Sequence, residues 1–397
     1  MIPYGKHFIS DADITAVNAV MSGDFLTQGP TIEAFEQAFA LRVGAKYAVA
    51  VNSATAALHI ALRVAGIGKC DRVVTSPITF LSSANCAAFV GATPDFVDID
   101  PVTYTLDPVA LEKNWQSDTR AVIAVDYAGQ VCDMPEIASI ARAHGAIVIE
   151  DASHAIGGMF HDKNSKQIFK IGGHHWADLT VFSFHPVKTM TTGEGGMLVT
   201  NRADWAKLAY MLRSHGIVRD PILFETLPDD PVLGEKGTWF YEMQELGYNY
   251  RLTDLQCALG ISQLSRLDFM IARRREIVAA YNAALADLPW LKCPSLRTAS
   301  DRAITSWHLY TVQIDFPRLG RTRSEAMAAL RVAGVGSQVL YIPVYLQPWY
   351  RKTYGYFPGK CPQAELFYER ALSLPLFPGM SDADVARVIA AVRVLSD

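Results

Sequence analysis

The stretch Ala146-Ile147-Val148-Ile149-Glu150-Asp151-Ala152-Ser153-His154 decides the fold. Apolar residues run on without alternation and then hand over to carboxylates. A strand with one wet face alternates apolar and polar residues, whereas a continuous apolar run marks a strand covered on both faces, as in a parallel sheet. The run delivers Asp151 to its carboxyl end, where open α/β sheets bind their ligands. Just upstream, 135–144 has helical spacing and stops before Gly145, which suits a helix C-terminal cap. A helix leading into a buried strand is the repeating unit of an α/β layer.

The same alternation extends in both directions. Strands are expected over 47–51, 72–76, 94–98, 121–125, 146–150, 180–184 and 197–200, with helices between them. One helix follows Asn52, through Ala56-Ala57-Leu58-His59-Ile60-Ala61-Leu62. This order predicts an α/β fold with a mostly parallel seven-stranded sheet. Near Leu252 the character changes. Leu252, Leu255 and Leu259 are spaced by three and four, and the helical pattern runs on toward Tyr281. Beyond the punctuation at 289–294, a strand is expected over 309–315, a helix over 324–333 and a strand over 337–342. Val385, Val388, Ile389 and Val392 form a closing helix stripe, with Ser381 and Asp384 as its capping box. The chain therefore divides into a large α/β domain over 1–250, N-terminal segment included. Residues 251–397 form a long linking helix and a smaller α+β domain.

Composition narrows the function. Of 397 residues 50% are hydrophobic and 19% charged, which excludes intrinsic disorder and leaves few charges to cover surface. An oligomer that buries part of that surface is expected. The net charge of −4 provides no basic field for nucleic acid. Arg273, Arg274 and Arg275 read as a solvated helix face. No apolar run reaches the ~18 residues of a membrane span, and the first residues do not read as a signal peptide. Cys70, Cys86, Cys132, Cys257, Cys293 and Cys361 lie far apart without a CxxC pair, so reduced, mostly buried thiols in a cytoplasmic protein are expected.

Three segments carry chemistry. Asn52-Ser53-Ala54-Thr55-Ala56-Ala57 joins a strand to a helix, where free backbone N–H groups and the positive dipole end suit a phosphate. An ordinary Ser/Thr N-cap is the alternative. The segment lacks the Gly-Lys of a P-loop. Gly66-Ile67-Gly68 and Gly334-Val335-Gly336 lack the third glycine of the dinucleotide fingerprint. Asp151, at a strand end, suits a cationic ligand nitrogen or a helix cap. Ser183-Phe184-His185-Pro186-Val187-Lys188, followed by Thr191-Thr192-Gly193-Glu194-Gly195-Gly196, sets a lysine in apolar, Gly-rich surroundings, and a buried lysine becomes a nucleophilic amine. Taken together, a phosphate cradle, a strand-end carboxylate and a lysine are the three parts that pyridoxal 5′-phosphate (PLP) needs.

At this point the chain resembles the DegT/DnrJ/EryC1/StrS sugar aminotransferases, within the fold-type I PLP-dependent transferases. The resemblance runs from Leu26-Thr27-Gln28-Gly29-Pro30 to the C-terminal region. It rests on the segments at 52–59, 151–157 and 183–188, on Arg213-Ser214-His215-Gly216-Ile217 and on Leu246-Gly247-Tyr248-Asn249-Tyr250-Arg251. It implies that Lys188 holds the cofactor aldehyde and that Asp151 faces the ring nitrogen. The same resemblance implies that Phe80 stacks on the ring, that His154 sits near the ring hydroxyl, and that Ala54, Thr55 and Ser183 bind the phosphate. It further implies that Asn249 reaches the phosphate of a neighbouring subunit, and hence a homodimer with shared active sites.

Asp-Ala-Ser-His, Ser-Phe-His-Pro-Val-Lys and Pro77-Ile78-Thr79-Phe80 resemble the branch that aminates C4 of a UDP-linked 4-keto-6-deoxy-N-acetyl hexose in pseudaminic acid biosynthesis. The implied amino donor is L-glutamate. A dTDP-linked 3-keto or 4-keto hexose is the alternative substrate. A PLP-dependent sugar dehydratase, in which histidine replaces the lysine, is disfavoured by Lys188. A non-catalytic PLP-binding regulator is disfavoured because no helix-turn-helix segment is left over. His185, His215 and His308 are candidate substrate contacts. His161, His174 and His175 match no zinc spacing, so no metal is expected. Residues 160–175 and 221–238 are extra loops that bear on substrate fit.

Overall fold

A computed structural model describes residues 1–173, 176–226, 236–298, 300–301 and 304–396. All seven expected strands form, as β1 (Tyr47–Val51), β2 (Arg72–Thr75), β3 (Thr93–Phe96), β4 (Thr119–Val125), β5 (Ile147–Asp151), β6 (Leu179–Ser183) and β7 (Gly196–Thr200). They make one sheet in the order β1-β7-β6-β5-β4-β2-β3. Only β7 runs against the others, pairing antiparallel with both β1 and β6. The carboxyl ends of β1, β5 and β6 and the start of β7 therefore meet on one edge.

Alternate residues of each strand enter opposite cores. Ala48, Ala50, Val148 and Phe182 pack with Phe35 and Phe39 of helix Pro30–Val43. Val49, Val51, Ile149 and Val181 pack with Leu58, Ile60 and Leu62 of helix Ala54–Val64. Each fully buried aliphatic or aromatic side chain contributes about 1.5–3 kcal/mol. Coverage of both faces is why these strands read as unbroken apolar runs.

The expected long linking helix is two helices, Asp254–Ser265 and Leu267–Leu285. At the break, the Arg266 N–H reaches back three residues to the Gln263 carbonyl, and the Ser265 hydroxyl takes the Ser262 carbonyl. Both bonds compete with the i→i−4 ladder. The first helix packs on Asp11–Met21 and Pro30–Val43. The second carries Ile277, Tyr281 and Leu285 into a separate apolar core.

That second core backs an antiparallel sheet of Leu291–Lys292, Tyr310–Ile314 and Ala371–Leu374. The expected closing helix, Asp382–Arg393, has its capping box and buries Val385, Val388 and Val392. Residues 337–342 do not form the expected strand. Gln338 and Ser373 exchange backbone bonds of 3.1 and 2.8 Å, and the chain then leaves the sheet. The N-terminal end also joins this core. Ile2 donates to the Gly334 carbonyl at 2.8 Å and accepts from Gly336 at 2.7 Å.

Arg273, Arg274 and Arg275 are not a solvated face, because Arg274 is fully buried. Residues 159–170 hold a hairpin of Met159–His161 and Ile168–Lys170, with Phe160 and Phe169 edge-on to Trp176. His174 and His175 lie outside the described residues. All six cysteines are free, and four of them are buried. No described helix is long and apolar enough to cross a membrane.

Candidate active site

A cavity of 410 Å³ opens at the shared strand edge, within the usual range for small-molecule sites. Ser53, Ala54, Thr55, Phe80, Asp151, His154, Ser183, His185 and Lys188 all line it.

The loop after β1 forms one end. The Ser53 hydroxyl accepts the Ala56 N–H at 3.1 Å, so it caps helix Ala54–Val64. Ala54 and Thr55, in the first turn, have N–H groups without an acceptor within the helix, and both residues line the cavity with Ser183. Gly196 permits this approach, since a Cβ there would stand 2.5 Å from the Ser53 carbonyl carbon and 2.6 Å from the Ala54 nitrogen.

Asp151 is 4% exposed. Its Oδ1 accepts the Ser153 N–H at 3.1 Å and its Oδ2 the Ser83 hydroxyl at 2.7 Å. Ser83 in turn accepts from Thr79 Oγ1 at 2.7 Å. The carboxylate is thus held as an acceptor with lone pairs to spare for a cationic nitrogen. Lys188 lies on the turn after β6. Burial pulls its ammonium down to about 8, against the Asp151 carboxylate, which favours the charge. Among the described residues no hydrogen bond or ion pair occupies its amine.

His154 presents one defined edge. The Ala128 N–H donates to its Nδ1 at 3.2 Å, so in the neutral ring Nε2 carries the hydrogen. Burial, and then the Lys188 charge, hold it well below the usual histidine range. Its Nε2 lies 3.4 Å from the Tyr341 hydroxyl. Tyr341 packs edge-on to Phe80 with ring centroids 6.2 Å apart.

The other expected residues lie elsewhere. His308 sits behind His154, 4% exposed, and does not line the cavity, because its segment folds back onto Ala128. His215 is exposed and off the cavity, with φ of 62° and its N–H bonded to the Tyr248 carbonyl. Asn249 is likewise exposed and outside its own chain's cavity, bridging to Ser214. None of the described residues of 160–175 or 221–238 lines it.

Sequence reading missed Tyr4, Ser83 and Tyr341. Tyr341 fell inside the segment read as a strand. Thr79 belongs to the Pro-Ile-Thr-Phe motif, and Ser83 follows it at the start of helix Ser82–Phe89.

An unpaired, desolvated amine, a buried carboxylate and free helix N–H groups around one cavity fit PLP. The sequence matches the DegT/DnrJ/EryC1/StrS aminotransferase family over residues 8–393, and the chain belongs to it. It is a PLP-dependent sugar aminotransferase of fold-type I architecture. It is 42% identical over 393 residues to spore coat polysaccharide biosynthesis protein SpsC of Bacillus subtilis, covering 99% of this chain and 96% of that one. PseC of Helicobacter pylori, an aminotransferase involved in the biosynthesis of pseudoaminic acid, is similar at 29% identity. Its TM-score is 0.87, over 99% of this chain and 98% of that one. Spr1654 of Streptococcus pneumoniae in its PMP form is 28% identical with a TM-score of 0.88, over 100% of this chain and 99% of that one.

Proposed function

We propose that the protein transfers an amino group from L-glutamate to C4 of a UDP-linked 4-keto-6-deoxy-N-acetyl hexose, as a cytoplasmic homodimer. The observation that carries the aminotransfer chemistry is the unpaired Lys188 amine in one cavity with the buried Asp151 carboxylate. The likeness to PseC and the motifs at 77–80, 151–154 and 183–188 support the sugar.

When bound, PLP supplies an electron-withdrawing ring and an aldehyde that carries the amino group between donor and acceptor. The N–H groups of Ala54 and Thr55 and the Ser183 hydroxyl would hold its phosphate. Asp151 would hold the ring nitrogen protonated. His154 offers its Nε2–H as a fixed neutral donor, and Phe80, which lines the cavity, would cover one face of the ring. Lys188, with its amine near 8, is the residue that can both accept and return a proton at neutral pH. Tyr341 lines the same cavity, between Phe80 and His154.

Two results test the Lys188 assignment. Borohydride reduction of the holoenzyme should fix a pyridoxyl group on the peptide containing Lys188, read by mass spectrometry. An adduct on another lysine would sink it. Cofactor capture by the apoprotein should also depend on pH. Only the free amine attacks, so the capture rate should climb about tenfold per unit at low pH and level off above about 8. A rate flat from pH 6 to 9 in stopped-flow absorbance contradicts the lowered amine. The sugar is tested by presenting UDP- and dTDP-linked keto hexoses to the pyridoxamine form and following its absorbance. The UDP-4-keto-6-deoxy-N-acetyl hexose should convert it fastest, and preference for a dTDP sugar would overturn the substrate.

A further inference from the structure

Arg274, on helix Leu267–Leu285, has 0% exposure. Taking a guanidinium out of water is costly unless a carboxylate or a full set of acceptors replaces the water. Arg274 has neither. Burial alone pulls it down to about 10, and no carboxylate among the described residues pairs with it. Its Nη1 donates to the carbonyls of Trp307, His308 and Leu376 at 3.3, 3.2 and 2.9 Å. Its Nε and Nη2 have no partner among the described residues. A buried ion pair can be replaced by apolar groups at little cost, but Arg274 has no carboxylate partner among the described residues, and its removal would leave three buried carbonyls without their donor, so charge pairing does not account for this residue.

What the three carbonyls hold does account for it. Trp307 has φ of 53° and faces Ala128, with φ of 59°, so two non-glycine residues stand in the left-handed region side by side. The His308 N–H donates to the Ala128 carbonyl at 2.8 Å. Ala128 donates to His154 Nδ1, and the Ser306 hydroxyl donates to the His154 carbonyl at 3.2 Å. The His308 ring lies 4.4 Å from the His154 ring, and its Nδ1 has no partner among the described residues. Among the described residues no hydrogen bond holds the His308 ring itself, so its place is set by the backbone on either side.

We propose that Arg274 is a positioning residue for the active site: by clamping the carbonyls of Trp307, His308 and Leu376 it seats His308 against His154 and so fixes the edge that His154 turns to the cavity. This rests on the reading of His154 as a cavity donor. The surrounding charges act in the same sense. After burial, His154, Lys188, Arg274 and His185 all disfavour a proton on His308.

The test is ring nitrogen NMR of the histidine-labelled holoenzyme, with His154 assigned by its substitution. In the unaltered protein His154 should give one neutral tautomer, with hydrogen on Nε2, down to pH 6. In Arg274→Met that signal should split between tautomers or titrate above pH 6, and kcat should fall by about tenfold. A folded Arg274→Met protein with an unchanged His154 signal overturns the proposal. If Arg274→Met does not fold, His308→Ala removes the seated ring instead. The His154 signal should then change in the same way, and an unchanged signal again overturns the proposal. A pyridoxyl adduct on a lysine other than Lys188 would defeat the proposed function while leaving the NMR result standing.

Discussion

Asp151→Asn should leave a protein that folds and still binds cofactor but turns over on the order of a hundredfold or more slowly. The two side chains have the same shape. The asparagine carbonyl oxygen can still accept one of the bonds that Asp151 takes from Ser83 and Ser153. What is lost is the charge. A buried carboxylate holds a proton on a facing ring nitrogen, and a neutral amide does not. One pKa unit is worth ~1.4 kcal/mol, or tenfold, and loss of the anion should move the ring nitrogen by several units. Steady-state kinetics beside the absorbance of bound cofactor separate the two effects. Turnover near the unaltered rate, at full occupancy, would refute the pairing of Asp151 with the ring nitrogen.

The residues affected by that substitution show which parts of the site are legible in sequence. Asp151 and Ser183 end strands that are buried on both faces, so unbroken apolar runs point straight at them. Lys188 follows in the next turn, and its Gly-rich neighbours mark it. Ser53 sits where a strand becomes a helix, and its two readings turn out compatible. Its side chain caps the helix, while the next two residues, whose N–H groups have no acceptor within the helix, line the cavity.

What was not legible depends on contacts between distant segments. Tyr341 lies in an apolar stretch with strand-like composition, yet only Gln338 finds a partner in the sheet. The Tyr127 hydroxyl takes the Leu340 carbonyl at 2.5 Å and draws the chain toward the cavity instead. Arg274 looks like its neighbours in a basic triplet. Its burial comes from residues more than thirty positions away, which helical spacing does not reveal. The reversal of β7 was equally hidden, because an apolar run carries no direction.

Mixing two inactive variants should restore activity if active sites are shared between subunits, and Asn249 makes the experiment possible. Asn249 is exposed and stands outside its own chain's cavity. Its segment is held firmly, with the Asn52 N–H bonded to the Tyr250 carbonyl at 2.8 Å and Tyr248 stacked on Tyr250 at 4.8 Å. Leu246 beside it is 71% exposed, an apolar side chain that a subunit partner would cover. A two-fold interface offers the same patch in both directions. If Asn249 donates to the partner's cofactor phosphate, Asn249→Ala removes a charge-assisted bond worth roughly 1.5–3 kcal/mol. Cofactor affinity should then fall about ten- to a hundredfold. At a cofactor concentration below that weakened affinity, Asn249→Ala dimers are largely empty, and Lys188→Ala dimers are inactive for want of the amine. In a mixed dimer one site combines both defects and the other has neither. Free exchange at equal amounts makes half the dimers mixed, so about a quarter of all sites should be intact. Where each site belongs to a single chain, every site keeps one defect, and mixing returns only the average of the two variants. Subunit exchange demonstrated by native mass spectrometry, with no activity above that average, would rule out the shared site.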